Sequence, residues 1–98
     1  VRPVLAFVLL GTLAACGPTL ATKSIISADI EIDAARAAGA EKTAPYEYYA
    51  AEAYLHEARM RNGYAEYEPA QDYAEKARTL AEQAKKKAVG ASNRPEAK

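Results

Sequence analysis

The stretch YEPAQDYAEKARTLAEQAKKKAVG, residues 67–90, decides the fold. Pro69 falls in a first turn, Asp72 and Glu75 come early, Lys85, Lys86 and Lys87 come late, and Gly90 stands where a helix can stop. Acids near the start and cations near the end both complement a helix macrodipole. Ala70, Tyr73, Ala74, Ala77, Leu80, Ala81, Ala84 and Ala88 recur every three or four residues and draw one continuous stripe. On the wet side, Asp72/Lys76 and Glu82/Lys86 have the spacing of i,i+4 ion pairs. The pattern predicts a helix over about 67–89 whose apolar face is nearly all alanine.

Working back, EKTAPYEYYAAEAYLHEARMRNG (41–63) offers Thr43 as a cap, Pro45 near the first turn, Glu47 early, Arg59 and Arg61 late, and Asn62-Gly63 as a terminator. A second helix over about 44–62 follows. At 100° per residue its apolar positions divide into two stripes. Tyr46, Tyr49, Ala50, Ala53 and Met60 form one, and Tyr48, Ala51, Tyr54, Leu55 and Ala58 form the other, so this helix can touch two neighbours. Further back, SIISADIEIDAARAAG (24–39) alternates at Ile26, Ala28, Ile30 and Ile32 as a strand would. Ser24 or Ser27 as caps, early acids, a late Arg36 and a stop at Gly39 favour a helix over about 24–38, with Ile25, Ala28, Ile32 and Ala35 on one face. CGPTLATK (16–23) has no sustained period and reads as a mobile tether, and ASNRPEAK (91–98) as a disordered tail. The fold class is therefore all-α, an antiparallel hairpin or three-helix bundle over residues 24–90.

Composition narrows the function. The 98 residues hold one small domain, and 24 of them are alanine, which buries little area apiece, so the core is thin. Thirteen basic residues balance thirteen acidic ones, leaving no field to draw the chain onto nucleic acid. A lone cysteine excludes an internal disulfide framework and a cysteine-rich zinc site. His56, the one histidine, has Glu52 a turn before it and Arg59 almost a turn after, the composition of a solvated charged stripe. No phosphate-binding loop or nucleophile elbow occurs. The expectation is a protein that is not an enzyme, with no metal and no dissociable cofactor.

The N-terminal VLAFVLLGTLAACGP (4–18) follows a single charge at Arg2 and is too short to cross a bilayer core of about 30 Å, which takes roughly 20 apolar residues. Its order is that of a secretory signal. Leu13-Ala14-Ala15-Cys16 resembles the lipobox of bacterial lipoproteins. The resemblance implies cleavage between Ala15 and Cys16, a signal peptide over 1–15, a diacylglyceryl group on the Cys16 thiol and an acyl chain on the new amino terminus. Several chains make such an anchor stable, since each buried CH₂ contributes about 0.8 kcal/mol. Gly17, which is not aspartate, implies sorting to the outer membrane, facing the periplasm.

All seven tyrosines, Tyr46, Tyr48, Tyr49, Tyr54, Tyr64, Tyr67 and Tyr73, lie in one block. A tyrosine joins a large apolar ring to a polar tip, so the block can fill an alanine-rich core or present a partner face. AEAYLHEARMRNGYAEYEPAQDYAEKA resembles one tetratricopeptide-type unit, with Ala70, Ala74 and Ala77 at the second-helix spacing, which implies peptide binding. APYEYYAAEAYLHEAR…GYAEYEPAQDYAEKA behind a lipobox is similar to a family of short bacterial lipoproteins with a helical domain of unknown function, found in some relatives ahead of an OmpA-like peptidoglycan-binding domain. That likeness implies work in the cell envelope. Lys98 matches the terminal lysine through which the murein lipoprotein is joined to peptidoglycan, though no long heptad accompanies it. The function expected is a non-catalytic scaffold or adaptor on the outer membrane, meeting an envelope protein or itself through Ala/Tyr helix faces. A peptidoglycan link through Lys98 and a peptide-binding module are the alternatives.

Overall fold

Helices lined with alanine at their contacts can approach closely, because interaxial distance, roughly 8–10 Å, is set by the side chains between them. The computed structural model describes Pro3 and residues 16–93, with side chains in the second stretch from Thr19 onward. It is all helical there: α1 (Cys16–Ala37), a four-residue α2 (Ala40–Thr43), α3 (Pro45–Gly63) and α4 (Tyr67–Ser92). Residues 1, 2 and 4–15, with the expected cleavage position Ala15, the Cys16 side chain, the surroundings of Gly17, and residues 94–98 with Lys98 lie outside the described residues.

Each long helix buries a stripe spaced alternately four and three residues apart. The stripes are Ala21, Ile25, Ala28, Ile32 and Ala35 on α1, and Ala44, Tyr48, Ala51, Leu55 and Ala58 running into α3. On α4 it is Ala70, Ala74, Ala77, Ala81, Ala84 and Ala88. A mean spacing of 3.5 is the coiled-coil seam, which keeps one face turned to its partners along the whole length. The seven-residue repeat is therefore present on all three helices, although the sequence reading found no long heptad. α4 packs along both α1 and α3, which meet each other less extensively. Ion pairs show the register: Arg36 to Glu52 at 3.3 Å and Arg59 to Asp29 at 3.4 Å are the pairings of antiparallel α1 and α3. Since α3 and α4 form a hairpin, α4 is parallel to α1.

The corners correct several boundary expectations. α1 starts at Cys16 where a tether was expected, because Ala21 continues the core stripe by one further step; Pro18 falls in the first turn of the element, where its missing N–H costs nothing. Ser24 and Ser27 lie inside α1 and cap nothing. Gly39 does end the helix region, with φ 86°, a left-handed conformation that suits glycine. Thr43 is no cap for α3: Ala44 holds that position without a side-chain bond, and the Thr43 hydroxyl donates to the Gly39 carbonyl at 3.0 Å. Gly63 is the last residue of α3, and Ala65 takes the left-handed position with φ 61°. There the Glu66 N–H donates to the Arg61 carbonyl at 2.9 Å and the Ala65 N–H to that of Asn62 at 3.1 Å, the bonding of a Schellman turn. Arg61 clamps this turn by pairing with Glu57 at 3.0 Å and Glu66 at 3.1 Å. α4 runs through Gly90 to Ser92, so the first residues assigned to the tail are helical.

An alanine with positive φ carries a Cβ penalty that glycine lacks. Ala65→Gly is therefore expected to raise stability by about 0.5–1 kcal/mol, after the extra chain entropy of glycine is allowed for. Gly39→Ala should lower it by about 1 kcal/mol, since the backbone there is left-handed even though space is open around the new methyl. Urea midpoints of the two variants should move in opposite directions; movement in the same direction would contradict the turn geometry.

Candidate interaction surface

The structure separates the seven tyrosines rather than gathering them on one face. Tyr48 is 1 % exposed and is the largest fully buried side chain. Tyr46, Tyr49 and Tyr64 are exposed, at 76, 55 and 73 %. Tyr54, Tyr67 and Tyr73 are half-buried. Of the two apolar stripes on α3, the one with Tyr48, Ala51, Leu55 and Ala58 is spent on the core; Tyr46, Tyr49, Ala53 and Met60 face solvent, and among the described residues no second helix covers them. α3 does touch two neighbours, α1 and α4, and it meets both with the Tyr48 side, so the second stripe is not needed for either contact. α4 covers one side of α3 and is itself polar on its outer side.

Burying Tyr48 requires a partner for its hydroxyl. Arg36 Nε donates to the Tyr48 oxygen at 2.8 Å, and the Tyr48 hydroxyl donates to Glu52 Oε1 at 2.8 Å. Arg36 also reaches Glu52 at 3.3 Å, Asp33 at 2.9 Å and Glu41 at 3.5 Å. The hydrogen bond to Tyr48 raises the Arg36 pKa further and holds it charged. Burial, assisted by Glu52, pushes the Tyr48 phenol up to about 12. The folded value lies above the unfolded one, so this contribution is whole below a pH of about 10 and is lost as pH rises through about 12. Arg36 and Glu52, 16 positions apart in sequence and on different helices, are partners of Tyr48 that periodicity does not reveal.

Glu47 is nearly buried and accepts a hydrogen bond from Lys87 across the α3–α4 contact. That bond, with the helix N–H groups at the start of α3, lowers the Glu47 pKa below its ordinary value. A depressed carboxyl stabilises the fold above its unfolded pKa and loses this effect as pH falls through the folded one. Melting temperature should therefore drop on acidification below the ordinary glutamate range of about 4.3. In Glu47→Gln the acid limb should flatten, and an unchanged limb would remove this pair from the account.

Lysines 85 and 87, expected to serve the helix end, make interhelical pairs instead, Lys85 with Glu31 at 2.9 Å and Lys87 with Glu47. The expected Glu82/Lys86 pair is replaced by Arg78 to Glu82 at 3.0 Å. Lys76, expected opposite Asp72, stands 5.7 Å from the ring centroids of both Tyr54 and Tyr73, whose rings stack 6.0 Å apart. Tyr54 and Lys76 border an open groove of about 560 Å³ shared with Asp72, Glu75, Thr79, Leu80 and Gln83. The groove is shallow and wide open to solvent. His56 is exposed, while Glu52 beside it is held by Arg36 and Tyr48. Among the described residues no three His, Cys, Asp or Glu side chains come together as metal ligands, and no helix is long and apolar enough to cross a membrane.

The surface left available is thus the outer side of α3 and, unforeseen in the sequence reading, the outer side of α1 with Ile26 and Ile30. The signal for the latter was present, since both isoleucines fall off the 25/28/32/35 face. No curated protein and no solved structure matches the chain. Residues 23–98 match the family model described as Domain of unknown function (DUF4398), and over that length, nearly the whole helical bundle, the chain belongs to this family.

Proposed function

We propose that this chain is a non-catalytic scaffold or adaptor of the cell envelope, held by acyl chains on Cys16 to the periplasmic face of the outer membrane. The observation that carries the reading is the division of α3. One stripe is consumed by the bundle, and the opposite one leaves Tyr46, Tyr49 and Met60 in water. Exposed tyrosines and a methionine on a rigid helix suit recognition of another helix or an envelope protein, because such rings bury much area with few rotors. The lipobox supplies the tether, which raises the local concentration of the face near its partners.

Photo-crosslinking in intact cells tests this reading. A benzophenone amino acid at Tyr49 is expected to yield a discrete adduct with one envelope protein or with a second copy. The same probe at Gln83, on the exposed side of α4, should yield none. Equal capture from both positions, or none from Tyr49, would remove α3 as the working face.

A further inference from the structure

The outer side of α1 is a second surface that the scaffold reading leaves unused. Leu20, Ile26 and Ile30 are 51, 54 and 60 % exposed, and among the described residues the only other exposed branched aliphatic is Val89. Exposed branched aliphatics are therefore concentrated on the helix that begins at Cys16, while the exposed tyrosines and Met60 belong to α3 and the turn after it. Positions 16, 23 and 30 are seven residues apart and return to the same side of a helix, with 26 between the last two. That side is opposite the buried stripe of Ile25, Ala28, Ile32 and Ala35. α1 is continuous from Cys16 to Ala37, about 33 Å at 1.5 Å per residue. Ile26 and Ile30 therefore follow the anchor position by about 15 and 21 Å along one rod.

Charge decides what this side can meet. The three acids of α1 each meet a cation of the protein: Asp29 with Arg59 at 3.4 Å, Glu31 with Lys85 at 2.9 Å, and Asp33 with Arg36 at 2.9 Å, which it shares with Glu41 and Glu52. Lys23, on the outer side, makes no ion pair among the described residues. An aliphatic stripe, acids paired with the protein's own cations and a lysine free to extend its stem are what a lipid headgroup layer accepts. We propose that the outer side of α1 is a lipid-docking face. α1 lies along the bilayer surface with Leu20, Ile26 and Ile30 in the headgroup region and Lys23 reaching the phosphates. This rests on the lipoprotein reading, because the acyl chains at Cys16 bring the face to the membrane. It adds that the anchored bundle lies down instead of hanging from a loose tether, which aims the exposed stripe of α3 away from the anchor side.

The chain has no tryptophan, so a single indole reports its own surroundings. Acylated full-length Ile26→Trp, Ile30→Trp and, as control, Tyr46→Trp would be placed on phosphatidylethanolamine/phosphatidylcholine vesicles carrying bromine-substituted acyl chains. Positions 26 and 30 are expected to shift their emission to the blue and lose on the order of half of it, as indoles seated roughly 5–10 Å deep would. Position 46 should emit as in buffer. All three positions are exposed, so circular dichroism should show unchanged helicity. An unquenched Ile26→Trp on protein that floats with the vesicles would overturn the docking face while leaving the anchor intact. A blue shift without quenching, together with a doubled mass in sedimentation, would overturn it in favour of a second copy on α1. A Cys16 whose measured mass carries no acyl group would overturn the anchor and the docking face together.

Discussion

Tyr48→Ala is expected to leave the domain unfolded at 25 °C. Removing a buried aromatic ring costs about 3–5 kcal/mol, and a helical unit of this size with one small core seldom holds more than about 3–5 kcal/mol in total. The loss is steeper here than elsewhere in the protein because Tyr48 and Ile32 are the largest fully buried side chains in a core otherwise made mostly of alanine. Arg36 and Glu52 would also lose the hydroxyl they share. Tyr48→Phe keeps the ring and removes only that oxygen, so it should cost about 1–2 kcal/mol and remain folded. Far-ultraviolet circular dichroism separates the two. A fully helical, cooperative Tyr48→Ala would show that the ring is not the keystone of the α1–α3 contact.

The second large effect comes from adding volume. Ala81 is fully buried in the middle of the α4 stripe, in the cluster shared with α1 and α3. An alanine seam leaves no space for a branched side chain unless the helices separate. Ala81→Leu is therefore expected to cost about 1–3 kcal/mol, despite adding apolar surface to a helix-favouring position. The same change at Ala53, which is exposed on α3, should stay within about 0.5 kcal/mol. Urea denaturation of both variants gives the comparison. Stabilisation by Ala81→Leu would mean that the three helices are not in close contact along the seam.

These two expectations mark where the sequence was legible and where it was not. The alanine period of α4, the Gly39 stop, Pro45 and Pro69 in first turns, and the shared face of Ile25, Ala28, Ile32 and Ala35 are all local, and local signals suffice to place helices. The choice between the two stripes of α3 is not local. Both are apolar at helical spacing, and only the packing of α1 and α4 makes Tyr48 core and Tyr49 surface. The start of α1 was missed because Gly17, Pro18 and two threonines dilute the period, while Ala21, one small residue, extends the seam. Thr43 and Gly63 are favoured residue types at plausible ends, yet the corners are closed by α2 and by Ala65, which a propensity argument would pass over. Lys85 with Glu31 and Lys87 with Glu47 join residues far apart in the chain, so their charges could be read only as helix-end decoration. For the candidate surface, residue types pointed to tyrosine, and the three-dimensional arrangement was needed to select Tyr46 and Tyr49 from the seven.

The central proposal is the lipid anchor, which would set the location of the protein, give the α3 face its setting and bring α1 to the membrane. Mass spectrometry of the N-terminal peptide of the mature protein, purified from the membranes of cells that make it, tests that proposal most directly. The expected peptide begins at Cys16 and carries a diacylglyceryl group on the thiol with a further acyl chain on the amino group. A chain that continues through Ala15 into Cys16, or a mature terminus with a free thiol, would contradict the account.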